Sequence, residues 1–207
     1  MTNQTIEQLR KAVQLRLPEK RMAHVLRVEE QIRFLGELLL PEELPRLQIA
    51  ALLHDIAKET PDGEQVALCD RLGISLTEKE RAVPAIVHAV SGEYIARRDF
   101  PSLVDEEMLD AIRYHTVGKV NMSLFGKLLM LSDFTEAGRM WERCKECRRY
   151  LMGITECTTK EERTAYFHNA FYYMLKLKYE YITTLSEETD EEAKAMLLFY
   201  KSLSTLD

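Results

Sequence analysis

Apolar residues recur at helical spacing along most of the chain. Ile6, Leu9, Val13 and Leu17 trace one face of a first helix. Pro18 stands where a second can begin, because a proline in the first turn forfeits no helical hydrogen bond. From there Met22, Val25, Val28, Ile32, Leu35 and Leu39 form the inward stripe of a helix predicted over 19–40, with His24 beside the stripe. Pro41 and Pro45 separate it from a buried helix near 45–58. Shorter helices are predicted over 62–71 and 77–83, with turns at "PDG" and Gly73. "AIVHAVSGEYIARRDF" is apolar around His88 and amphipathic afterwards. Asp105 is the expected N-cap of "EEMLDAIRYHT", whose Met108, Leu109 and Ile112 face inward, and Gly118 breaks the pattern. Ser123 to Glu136 reads as a further buried helix. Beyond Gly138 come the amphipathic "WERCKECRRYLMGI" and helices over about 159–185 and 189–203.

Such a pattern predicts an all-α protein. Eight Gly and six Pro in 207 residues agree, as does the abundance of Leu, Glu, Arg, Lys, Ala and Met. No repeat or linker divides the chain, so a single domain over 1–207 is expected. The N-terminus has no apolar signal core, and no window reaches the roughly 18 apolar residues of a membrane span, which predicts a cytoplasmic protein with no membrane partner. Cys69, Cys144, Cys147 and Cys157 are too few and too clustered for a secreted disulfide framework and read as thiols. A formal charge of −6 and a pI near 5.5 argue against a nucleic-acid polymer as partner. A small phosphorylated ligand, held by a local basic pocket or a metal, remains compatible.

The polar interruptions carry the chemistry. "AALLHDIAKE" sets His54 and Asp55 side by side in a greasy stretch, and "LLMLSDFTE" sets Asp133 in another. His24, His88 and His115 also lie on, or at the ends of, apolar segments. Taken singly, each is explained by a hydrogen-bonded core residue. Together, four imidazoles and two carboxylates on separate buried helices are ligand enough for two divalent metal ions sharing a bridging acid. Mixed imidazole and carboxylate donors with open positions suit iron, manganese or cobalt, whereas an all-thiolate set would point to structural zinc. Lys58, one helical turn after His54, and Arg139 in "EAGR" are the cations expected to meet phosphate oxygens. Arg113 and Lys119 read as solvated surface charges.

The order H…HD…H…H…D resembles the HD-domain metal-dependent phosphohydrolases. Within them, "EKRMAHVLRV", "AALLHDIAKE", "HAVSGEYIA", "DEEMLDAIRYHTVGKVNMS" and "LLMLSDFTEAGR" are similar to successive blocks of the YqeK family, bacterial proteins that hydrolyse diadenosine tetraphosphate symmetrically. The resemblance covers about residues 18–140. It implies an HD helical bundle over that span, with a helical C-terminal extension over about 141–207. It also implies iron as the metal, one ion on His24, His54, Asp55 and Asp133, and a second on His88 and His115 with Asp55 as bridge. Asp55, Lys58 and Arg139 would then form the catalytic group and a dinucleoside polyphosphate the substrate, cleaved to two ADP. Thr135 and Ala137 stand where the family usually has a hydrophobe and a proline, and "HAVSGEYIA" departs from the more usual "HGPVGAYLA" while keeping His88 and Gly92. Hydrolysis of another nucleotide, or nucleotide binding without turnover in a regulatory role, are the alternatives. The complete donor set favours catalysis.

Cys144 and Cys147 form one CxxC without the second pair that makes a zinc site persuasive, and on an amphipathic helix they read as packing residues. "AYFHNAFYYMLKLKYEYI" has aromatic residues at helical spacing, which predicts core and leaves a homodimer interface open.

Overall fold

Helix α1 (Asn3–Gln14) buries Ile6, Leu9 and Val13, and Pro18, in extended conformation, caps α2 (Glu19–Leu39). All six residues of the α2 stripe are buried. A Cβ at Gly36 would meet Leu47 Cδ1 at 2.8 Å, so this glycine lets α2 lie closely against α3 (Leu44–Leu53). The computed structural model describes residues 3–185 and 190–206, and among these the regular elements are all helical.

The buried helix expected near 45–58 stops at Leu53. From His54 the chain turns through bonds three residues long: Ile56 N to Leu53 O, Lys58 N to Asp55 O and Thr60 N to Ala57 O. The buried amide of Gln65 stabilises this run by donating to Ala57 O at 2.8 Å and Thr60 O at 2.9 Å, while its Oε1 accepts from Ser91 Oγ. The HD pair therefore sits at a helix end, where side chains can turn away from the helix axis.

Next come α4 (Asp62–Arg71), α5 (Glu78–Ala82), α6 (Val87–Asp99), α7 (Glu106–Tyr114) and α8 (Leu124–Thr135). Asp105 caps α7 by accepting from Met108 N, and Ser123 caps α8 by accepting from Gly126 N. Helices α2, α3, α7 and α8 pack together at the centre, and α6 packs on α7. Helix α8 is buried almost all round, which explains its apolar composition.

Helices α9 (Glu142–Leu151), α10 (Lys160–Leu185) and α11 (Glu191–Lys201) complete the chain. The start expected near 189 lies outside the described residues; Asp190 caps α11 by accepting from Ala193 N. One hydrophobic cluster runs from Ile6 to Tyr200 and includes Cys144, Cys147, Phe167, Phe171 and Tyr172, so the aromatic run contributes core. No helix of the described residues is long and apolar enough to cross a membrane.

Candidate metal centre

Three of the four predicted histidines are aimed by the same local device. His54, His88 and His115 each place Nδ1 against the carbonyl three residues earlier: Ala51 O at 2.6 Å, Ala85 O at 2.8 Å and Ile112 O at 2.7 Å. A carbonyl only accepts, so Nδ1 must carry the proton, and in the neutral ring Nε2 is left with its lone pair. His54 and His115 follow directly on α3 and α7 and His88 opens α6, so all three rings turn inward from helix ends. His24, within α2, is oriented instead by a carboxylate, with Nδ1 3.2 Å from Glu136 Oε1.

The four Nε2 atoms converge on Asp55. Oδ2 lies 3.5 Å from His24 Nε2 and 3.6 Å from His54 Nε2, whereas Oδ1 lies 3.4 Å from His88 Nε2 and 3.6 Å from His115 Nε2. Asp133 Oδ1 stands on the Oδ2 side, 3.1 Å from His24 Nε2 and 3.9 Å from His54 Nε2. All six predicted ligands are thus brought together, five of them buried and Asp133 partly so. Donor atoms of His24, His54 and Asp133 lie within 4.8 Å of one another, as do those of His54, Asp55 and His115. His54 therefore adjoins both groups.

The electrostatics fit a cation. Burial pushes His54 down to about 4 and His88 down to about 3, so both stay neutral donors near neutral pH. Burial would raise the Asp55 carboxyl, but the imidazoles of His54 and His115 hold it below the usual carboxylate range. Asp133 is also held well below it, with His24, Arg139 and His54 outweighing burial. His24 moves the other way: burial lowers it, yet Asp133 and Glu136 raise it overall. The buried Nε2 atoms of His24 and His54 have no hydrogen-bond partner. Unpartnered lone pairs among ionised carboxylates are costly to bury unless a cation meets them. Residues and geometry therefore suit metal binding.

Arg139 donates through Nε to Asp133 O at 2.9 Å and through Nη2 to Asp133 Oδ1, which sets a guanidinium at the edge of the cluster. Lys58 Nζ lies 3.1 Å from His88 Nδ1 and donates to Ala85 O at 3.3 Å. Arg113 pairs with Glu80 and Lys119 with Asp110, and neither meets a candidate ligand in an ion pair or hydrogen bond among the described residues. Cys144 and Cys147 are buried, with thiols pushed up by burial, and neither belongs to a metal-ligating group among the described residues.

Three residues that touch the cluster escaped the sequence reading. Arg21 donates to Asp55 Oδ2 at 2.8 Å, Glu136 orients His24, and Thr116 Oγ1 lies 3.2 Å from His88 Nε2 and 3.1 Å from His115 Nε2. Arg21 falls three residues before His24 and Glu136 three after Asp133, so each shares a face with a candidate ligand; that spacing was the available signal. At the departure from the family pattern, buried Thr135 donates its hydroxyl to Leu131 O at 2.7 Å, which satisfies it within α8.

Comparison with known proteins places this geometry in context. The HD domain family model matches residues 21–138. The symmetrical bis(5'-nucleosyl)-tetraphosphatase of Bacillus subtilis (strain 168) is 32% identical over 139 residues, 66% of this chain and 72% of that protein. The protein of the same name from Halalkalibacterium halodurans is 33% identical over 141 residues, 67% of this chain and 74% of its own. Among solved structures, a predicted HD superfamily hydrolase involved in NAD metabolism from Clostridium acetobutylicum superposes with a TM-score of 0.78 at 22% identity. The alignment covers 95% of this chain and 96% of that one, a likeness of fold.

Proposed function

The chain belongs to the HD domain family, and from that premise we propose that it is a metal-dependent phosphohydrolase that cleaves diadenosine tetraphosphate symmetrically into two ADP. The substrate is supported by the similarity to symmetrical tetraphosphatases. One observation carries the chemistry: the two oxygens of Asp55 face two different histidine pairs through Nε2 atoms that have no backbone partner.

His24, His54, Asp55 and Asp133 would hold one divalent cation, and His88 and His115 a second, with Asp55 shared. The donors suit iron, manganese or cobalt, and the resemblance to the YqeK family favours iron. Such a pair supplies an acidified water and neutralises charge gathering on the attacked phosphoryl group.

The protein's own groups position and neutralise. The ring N–H bonds of His54, His88 and His115 to backbone carbonyls fix both tautomer and orientation. Arg139, anchored on Asp133, offers guanidinium N–H groups to phosphate oxygens, and Lys58 offers a second charge beside His88. Water oxygen adds to an inner phosphorus, the central P–O bond breaks, and one ADP leaves with the bridging oxygen. Water's protons pass to solvent and to the product phosphate.

Metal analysis combined with a nucleotide panel tests this reading. Roughly two metals per chain are expected, with activity lost on chelation and restored by Fe(II), Mn(II) or Co(II), and with ADP as the only early product. Equal AMP and ATP would mean asymmetric cleavage. A metal-free, fully active protein would overturn the proposal.

A further inference from the structure

A cavity of about 830 Å³ lies between α5, α6, the loop after α7, and helices α10 and α11, and Thr116 is on its wall. Its size falls within the roughly 300–1,000 Å³ of small-molecule sites. Thr116 is also the residue whose hydroxyl touches His88 and His115, so the cavity begins where the candidate metal centre ends.

Charge decides what it can hold. Lys79 pairs with Asp190 and Glu192, Arg113 with Glu80, and Lys119 with Asp110, so these lining cations are already met by acids. Lys178, on α10, instead donates to Thr116 O at 2.6 Å and meets no carboxylate within ion-pair distance among the described residues. It stands at the boundary with the metal centre. Elsewhere the lining is mainly apolar and aromatic, including Val90, Tyr114, Val120, Tyr179, Ile182 and Met196. A polyphosphate gains little from such walls, whereas a flat heteroaromatic ring gains burial and ring contact.

Two of the helices that wall the cavity, α10 and α11, lie outside the matched family region. Helix α11 holds the loop at its mouth, because Tyr200 OH donates to Lys119 O at 3.1 Å and accepts from Met122 N at 2.8 Å. Gly118 has φ +73°, and a Cβ there would meet Met196 Sδ at 2.7 Å, so α11 and the loop fit closely.

We infer that this cavity binds one nucleoside of the substrate, with the phosphate chain passing Thr116 and Lys178 into the histidine cluster, so that α10 and α11 complete a nucleoside site begun by α5, α6 and the loop after α7. The identity of the occupant rests on the phosphohydrolase reading; its place rests on the cavity.

The test uses calorimetric titration of the metal-loaded full chain with two probes, ADP and inorganic pyrophosphate. The wild type should bind ADP more tightly than pyrophosphate. Ile182→Trp and Val120→Trp, which fill the cavity, should each weaken ADP roughly tenfold while leaving pyrophosphate within about twofold. Val120 is 39% exposed, so its variant retains the fold even if Ile182→Trp does not, and thermal melts verify this. Unchanged ADP affinity in folded Val120→Trp, equal loss of both probes, or a wild type that prefers pyrophosphate would each overturn the inference. If ADP binding shows the expected sensitivity but no dinucleotide is hydrolysed, the cavity assignment stands and the phosphohydrolase reading fails. Normal hydrolysis with insensitive ADP binding gives the reverse.

Discussion

His24 and Glu136, 112 residues apart in the chain, meet with Nδ1 3.2 Å from Oε1. Glu136 is buried, and although burial raises its carboxyl, His24, the Gly138 N–H and Arg27 bring it down to about 2, so it is ionised at working pH. A carboxylate behind an imidazole fixes the ring and increases its basicity. Glu136→Gln keeps the shape and removes the charge. Its affinity for Mn(II), read by titration of the chelated protein, should fall by about 10–100-fold with the helical signal retained. Unchanged affinity would make Glu136 only a partner for Arg27.

Asp55→Asn separates a bridging ligand from a hydrogen-bonded core residue. If Asp55 only accepts from Arg21 at 2.8 Å, the amide oxygen can still accept, and metal content and turnover stay near normal. If its two oxygens serve two cations, metal content and turnover fall together, turnover by about 100-fold or more, while circular dichroism changes little. Near-normal turnover would place the centre elsewhere.

Stability of the chelated protein should fall on acidification. Between about pH 6.5 and 5 the unfolded chain protonates His54 and His88, whereas in the folded chain these remain neutral down to about 4 and about 3. The unfolded state then binds more protons, so stability decreases as pH falls. His24, raised in the fold, opposes this: its contribution is full below its unfolded value and is lost as pH rises through the folded one. Two groups outweigh one, and Asp55 and Asp133, both lowered, add to the loss as pH drops below the usual carboxylate value. The melting temperature should drop by roughly 5 °C from pH 7 to pH 5. A higher one at pH 5 would contradict the neutral state of the two imidazoles.

Local chemistry was legible in the sequence where it acts within a few residues. The Asp105 cap, the span of α4 and the stripe of α2 follow from spacing and capping alone. The six candidate ligands stood out because polar residues interrupted apolar runs, and the structure brings them together. Contacts made across the fold were not legible. Gln65 gives no local sign that its amide will take the carbonyls of the turn after α3, and the periodicity ran on past Leu53 because 54–57 are buried whether helical or not. Lys178 reads as one more basic residue on a long helix until α10 packs it against Thr116.

The cysteine pair gives the last prediction, because it sets apart two explanations of a CxxC spacing on one helix. Cys144 and Cys147 point into the core from α9, and burial raises both thiols, so neither offers a ready thiolate. A metal or redox role would need one. Cys144→Ser with Cys147→Ser should therefore leave metal content and turnover unchanged at a temperature where the protein stays folded. Its cost should appear in stability instead: a hydroxyl buried at Cys147, which is 0% exposed, costs roughly 1–3 kcal/mol unless it finds an acceptor. Urea unfolding should show that loss, while metal analysis of the folded variant matches the wild type. Loss of metal in the folded variant would assign the thiols to the metal centre and remove the packing explanation.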